Sequence, residues 1–242
     1  FEKWFKPLIR KIKEQKPELE IIVCVNGEHN KPFDEKYRKD MLSFLCEFDN
    51  VFPMFFTTHR SLSKLWNNLL INASHDIVVR LDDDLTITNN VFWQQIEHGL
   101  QKNGYKSFKI NGSWSHTVLN RIEVEQVGWF DERFLGGGEE DGDFEWRYGN
   151  YFGREFANLH GFFIHNHWNE VDYEKCLVNM KKTDGKRSSF NKQFVRKKYS
   201  TDKDGKQHGI ITIDGDPKLL CVSPTKNQYP YERFWWDQKG DL

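Results

Sequence analysis

The chain has 242 residues, and 35 basic side chains stand against 36 acidic ones, for a net charge of −1. That balance gives no electrostatic reason to expect a nucleic-acid partner. No apolar run approaches the roughly 20 residues a membrane helix needs, the start carries no signal-peptide pattern, and the length suits one large α/β domain or a domain with a tail.

Phe1, Trp4, Phe5, Leu8, Ile9 and Ile12 recur at helical spacing, with Pro7 tolerable only in a first turn or at a kink. Ile21–Val25 is an apolar strand ending in Asn26-Gly27, and Asp34–Glu47 carries the next helical stripe. Val51–Phe56 is a short strand that Pro53 assigns to an edge. Leu62, Leu65, Trp66, Leu69, Leu70 and Ala73 mark an amphipathic helix with Ser61 as its expected N-cap. Ile77–Leu81 is a buried strand, and a helix runs from about Asn90 to Lys102. Strands alternating with helices predict parallel pairing through crossovers.

After Gly104 the pattern changes. Ser107–Ile110 and Thr117–Asn120 read as strands, Arg121–Val127 as a short helix, and Gly128–Asp131 as a turn. Gly136-Gly137-Gly138 then runs into Glu139-Glu140-Asp141-Gly142-Asp143, glycines that free the backbone followed by acids that suit a helix start. Phe162–Trp168 reads as a strand with His165 and His167 on one face. Beyond Glu170 the chain is basic and helical, with Lys181, Lys182, Arg196, Lys197 and Lys198. A structureless stretch from Thr201 to Gly209 and an aromatic tail from Tyr229 to Trp236 follow.

The chemistry concentrates in Asp82-Asp83-Asp84. Three carboxylates at a strand end repel one another and stay ionised cheaply only beside a positive group, and hard divalent cations prefer carboxylate oxygen. Ligands in open α/β sheets sit outside the carboxyl ends of strands. A metal-diphosphate site is one reading; an acidic turn leading to the next helix is the other.

Three blocks carry a family resemblance. Asn67 to Asp84 resembles an Asn-containing helix followed by an Asp-x-Asp strand end. Val127-Gly128-Trp129-Phe130-Asp131-Glu132-Arg133-Phe134 resembles a G-x-F-D-E-x-F turn. Gly137 to Arg147 resembles a glycine-rich Glu-Asp motif with its downstream Asp and Arg. Together they are similar to GT-A-fold nucleotide-sugar glycosyltransferases of the inverting family 2 type. The resemblance covers about residues 1 to 170, and it implies a Rossmann-like α/β fold with a mixed, mainly parallel central sheet flanked by helices, plus a helical or irregular extension over 171–242 packed on it.

It also implies roles. Asp84 would bind Mn²⁺ or Mg²⁺, with Asp82 at the metal or facing the nucleotide, Asp83 and Asn26 on the donor side, and His165 or His167 as a further metal ligand. Asp141 would be the base for the acceptor hydroxyl, with Glu140 at the acceptor and Trp129 either there or packed in the core. Gly137 and Gly138 would let the loop close over the donor, and Asp143 and Arg147 would support it. The partners would be a UDP- or other nucleotide-sugar and a glycan, lipid-linked or protein acceptor. Peripheral contact at the cytoplasmic membrane face would fit the basic segment. Two departures stand out: the chain opens at what resembles the helix after the family's first strand, and Val25-Asn26-Gly27 replaces a strand end with an Asp. A Val cannot accept a hydrogen bond from uracil.

A sugar-nucleotidyltransferase would want a glycine-rich phosphate loop with Lys or Arg after the first strand, and none is visible. A non-catalytic glycan-binding module is disfavoured by the paired acidic clusters. Cys24, Cys46, Cys176 and Cys221 are too dispersed for a disulfide scaffold or a metal knot and read as reduced, mostly core residues. Nine Trp and 15% aromatic residues exceed what the core needs, and flat rings suit sugars, although core filling is their commoner use.

Overall fold

The computed structural model describes residues 1–27, 32, 34–167, 170, 189–199 and 215–227. Lys181, Lys182, Cys176, the stretch from Thr201 to Gly209 and the aromatic tail lie outside the described residues. The chain forms two compact units interleaved in sequence. The first combines Phe1–Thr58, Ala73–Glu123 and Phe156–Leu177, and the second combines His59–Asn72, Val124–Glu155 and Val178–Leu242.

In the first unit, helix α1 (Phe5–Gln15) buries Phe5, Leu8, Ile9 and Ile12. Pro7 falls in its first turn, where a missing N–H costs no intrahelical bond. Strand β1 (Ile21–Val25) pairs in parallel with β2 (Val51–Phe55), from Ile21 opposite Val51 to Val25 opposite Phe55. Helix α2 (Glu35–Leu45) is the crossover, capped by Asp34, whose carboxylate accepts from the Lys36 and Tyr37 N–H groups. Val23, Val25, Met41, Phe44 and Leu45 close with Phe5 and Ile9 into one core cluster.

Strand β3 (Ile77–Leu81) runs antiparallel to β6 (Ser113–Asn120). Strand β5 (Phe108–Ile110) is antiparallel to β6 and parallel to β7 (Ala157–Leu159), giving the order β3-β6-β5-β7. Strand β4 (Leu85–Ile87) pairs antiparallel with β8 (Ile164–Asn166). Helix α4 (Phe92–Lys102) adds Phe92, Trp93, Ile96 and Leu100 to a core shared with Leu8, Leu85, Phe108, Val118 and Ile164.

The architecture is therefore mixed α/β, with parallel pairs at β1–β2 and β5–β7 and antiparallel pairs elsewhere among the described strands. Alternation of strand and helix predicted more parallel pairing. The difference lies at Asn111-Gly112, where φ values of 50° and 76° turn the chain back directly from β5 to β6. Asn-Gly between apolar runs is a hairpin signal that the strand-by-strand reading overlooked.

The second unit holds α3 (Leu62–Asn72), the end of α5 (Arg121–Val127), α6 (Glu140–Phe152), a helix α7 over 189–199, and short 3-10 turns at Pro217–Leu220 and Pro224–Asn227. Asn67, fully buried on α3, accepts from the Phe130 N–H and donates to the Phe130 carbonyl, Glu132 and Ser223. The expected side-chain cap at Ser61 does not form: its buried Oγ has no hydrogen-bond partner among the described residues, and the free Leu62 N–H instead donates to the Gly136 carbonyl at 2.8 Å.

Behind the Gly128–Asp131 turn lies a buried charge network. Arg147 donates to Asp143 Oδ2 at 2.9 Å and to the carbonyls of Val127 and Trp129 at 2.8 Å each. Lys198 of α7 donates to Asp131 Oδ2 at 2.8 Å and to Asp143 Oδ1 at 2.5 Å, and Tyr199 donates to Asp143 Oδ1 at 2.6 Å. Arg133 completes it with a bond to Asp131 Oδ2 at 2.6 Å. Burial pushes the Asp131 carboxyl up, but the bonds and charges of Arg133 and Lys198 outweigh it and hold the group below its usual value. Stability from Asp131 is thus present above the ordinary Asp range and lost as pH falls through its depressed pKa. Removing one member of a buried, paired set strands the others. Lys198→Met is expected to lower unfolding free energy by about 3 kcal/mol in urea titrations at neutral pH; an unchanged midpoint would show that the network carries no stability.

Candidate functional site

The acidic triplet follows β3 directly. Arg80, the penultimate residue of that strand, is 3% exposed. Its guanidinium donates to Thr117 Oγ1 on β6 at 3.3 Å and to Asp82 Oδ1 at 2.8 Å. The Asp82 backbone N–H donates to the Ser115 carbonyl, continuing the β3–β6 ladder past its last paired residue. Asp82 is thereby fixed from two directions. Burial raises its carboxyl above the ordinary Asp value and Asp83 adds to this, while Arg80 and Ser115 work the other way. Asp84 is raised by burial and then by Asp83 and Asp82, with His167 opposing. Both Asp82 and Asp84 keep raised carboxyls despite Arg80 and His167, which is the electrostatic condition for taking a cation. Tyr37 of α2 faces the same cluster: burial and then the Asp83 charge raise its phenol.

Strand β8 brings the histidines to this end of the unit. The His167 N–H donates to the Asp84 carbonyl at 2.9 Å, extending the β4–β8 ladder. His167 Nε2 lies 2.8 Å from Thr86 Oγ1, and its ring stacks on Trp4 at 5.5 Å between centroids. His165 and His167 approach the same Glu170 oxygen, at 3.4 and 2.9 Å. The ligating atoms of His165, His167 and Glu170 all lie within 4.8 Å of one another. Two imidazoles and a carboxylate suit a first-row divalent ion such as Mn²⁺; the triplet carboxylates are not part of that group of ligating atoms, and Asp84 is joined to it through its backbone carbonyl. These side chains therefore fit the expected metal. Glu170 had no role in the sequence reading; its spacing of three residues from His167 was the available signal.

Asn26 follows β1 and is half-buried. Gly27 after it is a packing requirement: a Cβ there would sit 2.5 Å from the Thr58 carbonyl carbon.

The glycine loop and the start of α6 lie in the second unit. Gly136 and Gly138 have φ of 63° and 106°, and Glu139 is left-handed at 74°, so α6 begins at Glu140 without a side-chain cap. A Cβ on Gly137 would meet Leu62 Cδ1 at 2.9 Å, whereas one on Gly138 would meet nothing within 4 Å. Gly137 is thus explained by contact with α3, and Gly138 leaves open space. Asp141 is half-buried, and its Oδ1 accepts from the Gly142 N–H at 2.8 Å. Glu140 is 2% exposed, and its Oε2 has no hydrogen-bond partner among the described residues. Burial, reinforced by Asp141, pushes its carboxyl up to about 8.

Trp129 departs from its expected place at the acceptor. It is 2% exposed, with φ of 73°, and its carbonyl anchors Arg147. An enclosed ring offers no open face to a sugar, so Trp129 is a core residue. The described cysteines form no disulfide with one another, in keeping with the reduced state expected, but their burial differs from the expectation: only Cys221 is buried, Cys24 is partly so and Cys46 is exposed.

No protein-family model matches the chain, and no curated protein sequence matches it. Solved structures do. Staphylococcus aureus TarS 1–349 in complex with UDP aligns at 14% identity and TM-score 0.50 over 65% of this chain and 54% of that one. A second structure of S. aureus TarS aligns at 12% identity and TM-score 0.53, over 81% of this chain and 40% of that one. This chain therefore spans about half the length of those proteins or less. The likeness defines the fold as the GT-A type of mixed α/β architecture.

Because folded Glu140 holds its proton to about pH 8 while the unfolded chain releases it near 4.5, its contribution to stability is complete below 4.5 and declines as pH rises through 8. Glu140→Gln, which mimics the protonated form, is expected to flatten the fall in melting temperature between pH 5 and pH 9, measured by thermal denaturation across that range. A Gln variant with the same pH slope as the parent would contradict the assignment.

Proposed function

We propose that this chain is a metal-dependent, inverting glycosyltransferase that moves a sugar from a nucleotide-diphosphate donor to an acceptor hydroxyl. The observation that carries this reading is the acidic triplet at the end of β3, with Asp82 anchored by Arg80 and the His165–His167–Glu170 cluster tied to Asp84 through the β4–β8 ladder. The fold it shares with a UDP-bound solved structure supports a uridine or other nucleoside diphosphate as donor handle.

Asp84, with His167 and its neighbours, would hold Mn²⁺ or Mg²⁺. When bound, the ion supplies Lewis-acid stabilisation of the charge growing on the departing diphosphate. Asp82, steadied by Arg80 and Ser115, would turn its carboxylate to the metal or the nucleotide ribose. Asp141 at the start of α6 accepts the proton of the acceptor hydroxyl as that oxygen attacks the anomeric carbon. Displacement from the face opposite the leaving diphosphate inverts the anomeric centre, through a centre with oxocarbenium character. Glu140, protonated at neutral pH, is suited to donate a hydrogen bond to an acceptor oxygen.

A thermal-shift panel of nucleoside diphosphates with and without Mn²⁺ tests donor and metal together, since a ligand that binds only the folded state stabilises it by RT ln(1 + [L]/Kd). The expected result is stabilisation by UDP that requires Mn²⁺ and disappears in Asp84→Ala. Asp141→Asn should keep that stabilisation while losing about 10²- to 10⁴-fold in transfer rate, measured as UDP release from UDP-sugars. Full transfer by Asp141→Asn would overturn the base assignment. Release of pyrophosphate from a nucleoside triphosphate would identify a nucleotidyltransferase instead.

A further inference from the structure

We infer that Asn191 of α7 is a positioning residue for the start of α6, holding the glycine loop in the one conformation that presents Glu140 and Asp141. Asn191 is fully buried, and every hydrogen-bonding group of its amide is used on that loop. Its Oδ1 accepts from the Leu135 N–H at 2.9 Å, and its Nδ2 donates to the Leu135 carbonyl at 2.9 Å and to the Gly138 carbonyl at 2.8 Å. The paired bonds to Leu135 imitate the contact a neighbouring strand would make, and the third bond spans the glycines to their far end.

The loop needs such a clamp. Gly136, Gly138 and Glu139 all sit at positive φ, and three glycines carry a large conformational entropy that local contacts must offset. Within the second unit, the Leu62 N–H on Gly136 restrains the middle of the loop, and Asn191 restrains both ends. The family resemblance implies a loop that closes over the donor. Its ties to α3 and α7 make it instead a held element, and residue 191 sits in a segment that otherwise reads as a solvated basic helix. The catalytic consequence rests on the proposed glycosyltransferase reading; the clamp itself does not.

Hydrogen–deuterium exchange on the full chain tests the clamp. Asn191→Leu, of similar volume and without polar groups, should speed exchange of the amides over 135–141 by about tenfold or more, while 144–149 within α6 stays protected. Asn191→Asp keeps the acceptor for the Leu135 N–H and loses the donors to the Leu135 and Gly138 carbonyls, so it should loosen the Gly138 end most, because the Leu135 end retains one bond. If Asn191→Leu does not fold, Asn191→Asp decides the matter. Unchanged protection over 135–141 in the variant that folds overturns the inference. UDP binding with Mn²⁺ should stay within about twofold of the parent, while kcat for UDP release from UDP-sugars falls and the donor KM holds. A loosened loop with unchanged kcat would also overturn the positioning role. Absence of UDP release in the parent itself would instead refute the proposed function and leave the exchange result standing.

Discussion

Asp82, Asp83 and Asp84 repel one another where β3 ends, and partial burial makes that repulsion harder to screen. The first unit answers with a single buried guanidinium. Arg80 is placed by strand geometry, one residue before the β3 terminus and opposite Thr117 on β6, so its head group reaches Asp82 and steadies it. Among the described residues Asp84 has no comparable bond, and its carboxyl is raised by burial and by its two acidic neighbours. A strand end built this way is poorly satisfied by protein alone. The proposed divalent cation would relieve it, and the backbone bond from His167 to Asp84 brings the His165–His167–Glu170 group to the same strand end. The proposed chemistry follows from this unmet demand for positive charge more than from any single side chain.

The second unit treats charge in the opposite manner. Asp131, Asp143, Arg147 and Lys198 are buried and mutually paired, with Tyr199 filling a remaining acceptor position. Nothing in that network is left to bind a ligand. Its effect is to lock the Gly128–Asp131 turn, the body of α6 and helix α7 into one arrangement. Glu140, a turn of helix away from Asp143, is the contrasting case: buried, raised to about 8 and with an oxygen that has no hydrogen-bond partner among the described residues. The same short motif thus supplies acids for structure and acids available for chemistry, and burial alone does not separate them; hydrogen-bond accounting does.

Much of this was legible in the sequence. The apolar periodicities located α1 through α4 and strands β1 to β3, because each of those elements buries one regular face. The triplet stood out because three acids after an apolar strand have few inexpensive explanations. What the sequence did not disclose were pairings between distant positions. Strand β4 is three residues long and β7 is likewise, too short for alternation to register. Arg80 reads as an interruption of a strand until Asp82 is found beside it. Asn191 and Lys198 lie in a basic stretch whose ordinary explanation is a wet helix face, and only the contacts with Leu135, Gly138, Asp131 and Asp143 reveal otherwise. Trp129 had two uses open to it in the sequence, a sugar platform and the core, and its burial assigns it to the core.

The central claim is that the β3 terminus holds a divalent ion against a nucleoside diphosphate. Electron paramagnetic resonance of Mn²⁺ addresses it without any knowledge of the sugar or the acceptor. Titrating the protein into Mn²⁺ plus UDP should extinguish the six-line signal of the free ion with one-to-one stoichiometry, and the same titration with Asp84→Ala should leave the signal largely intact. Equal quenching by the parent and Asp84→Ala, or no quenching by the parent, would contradict the account.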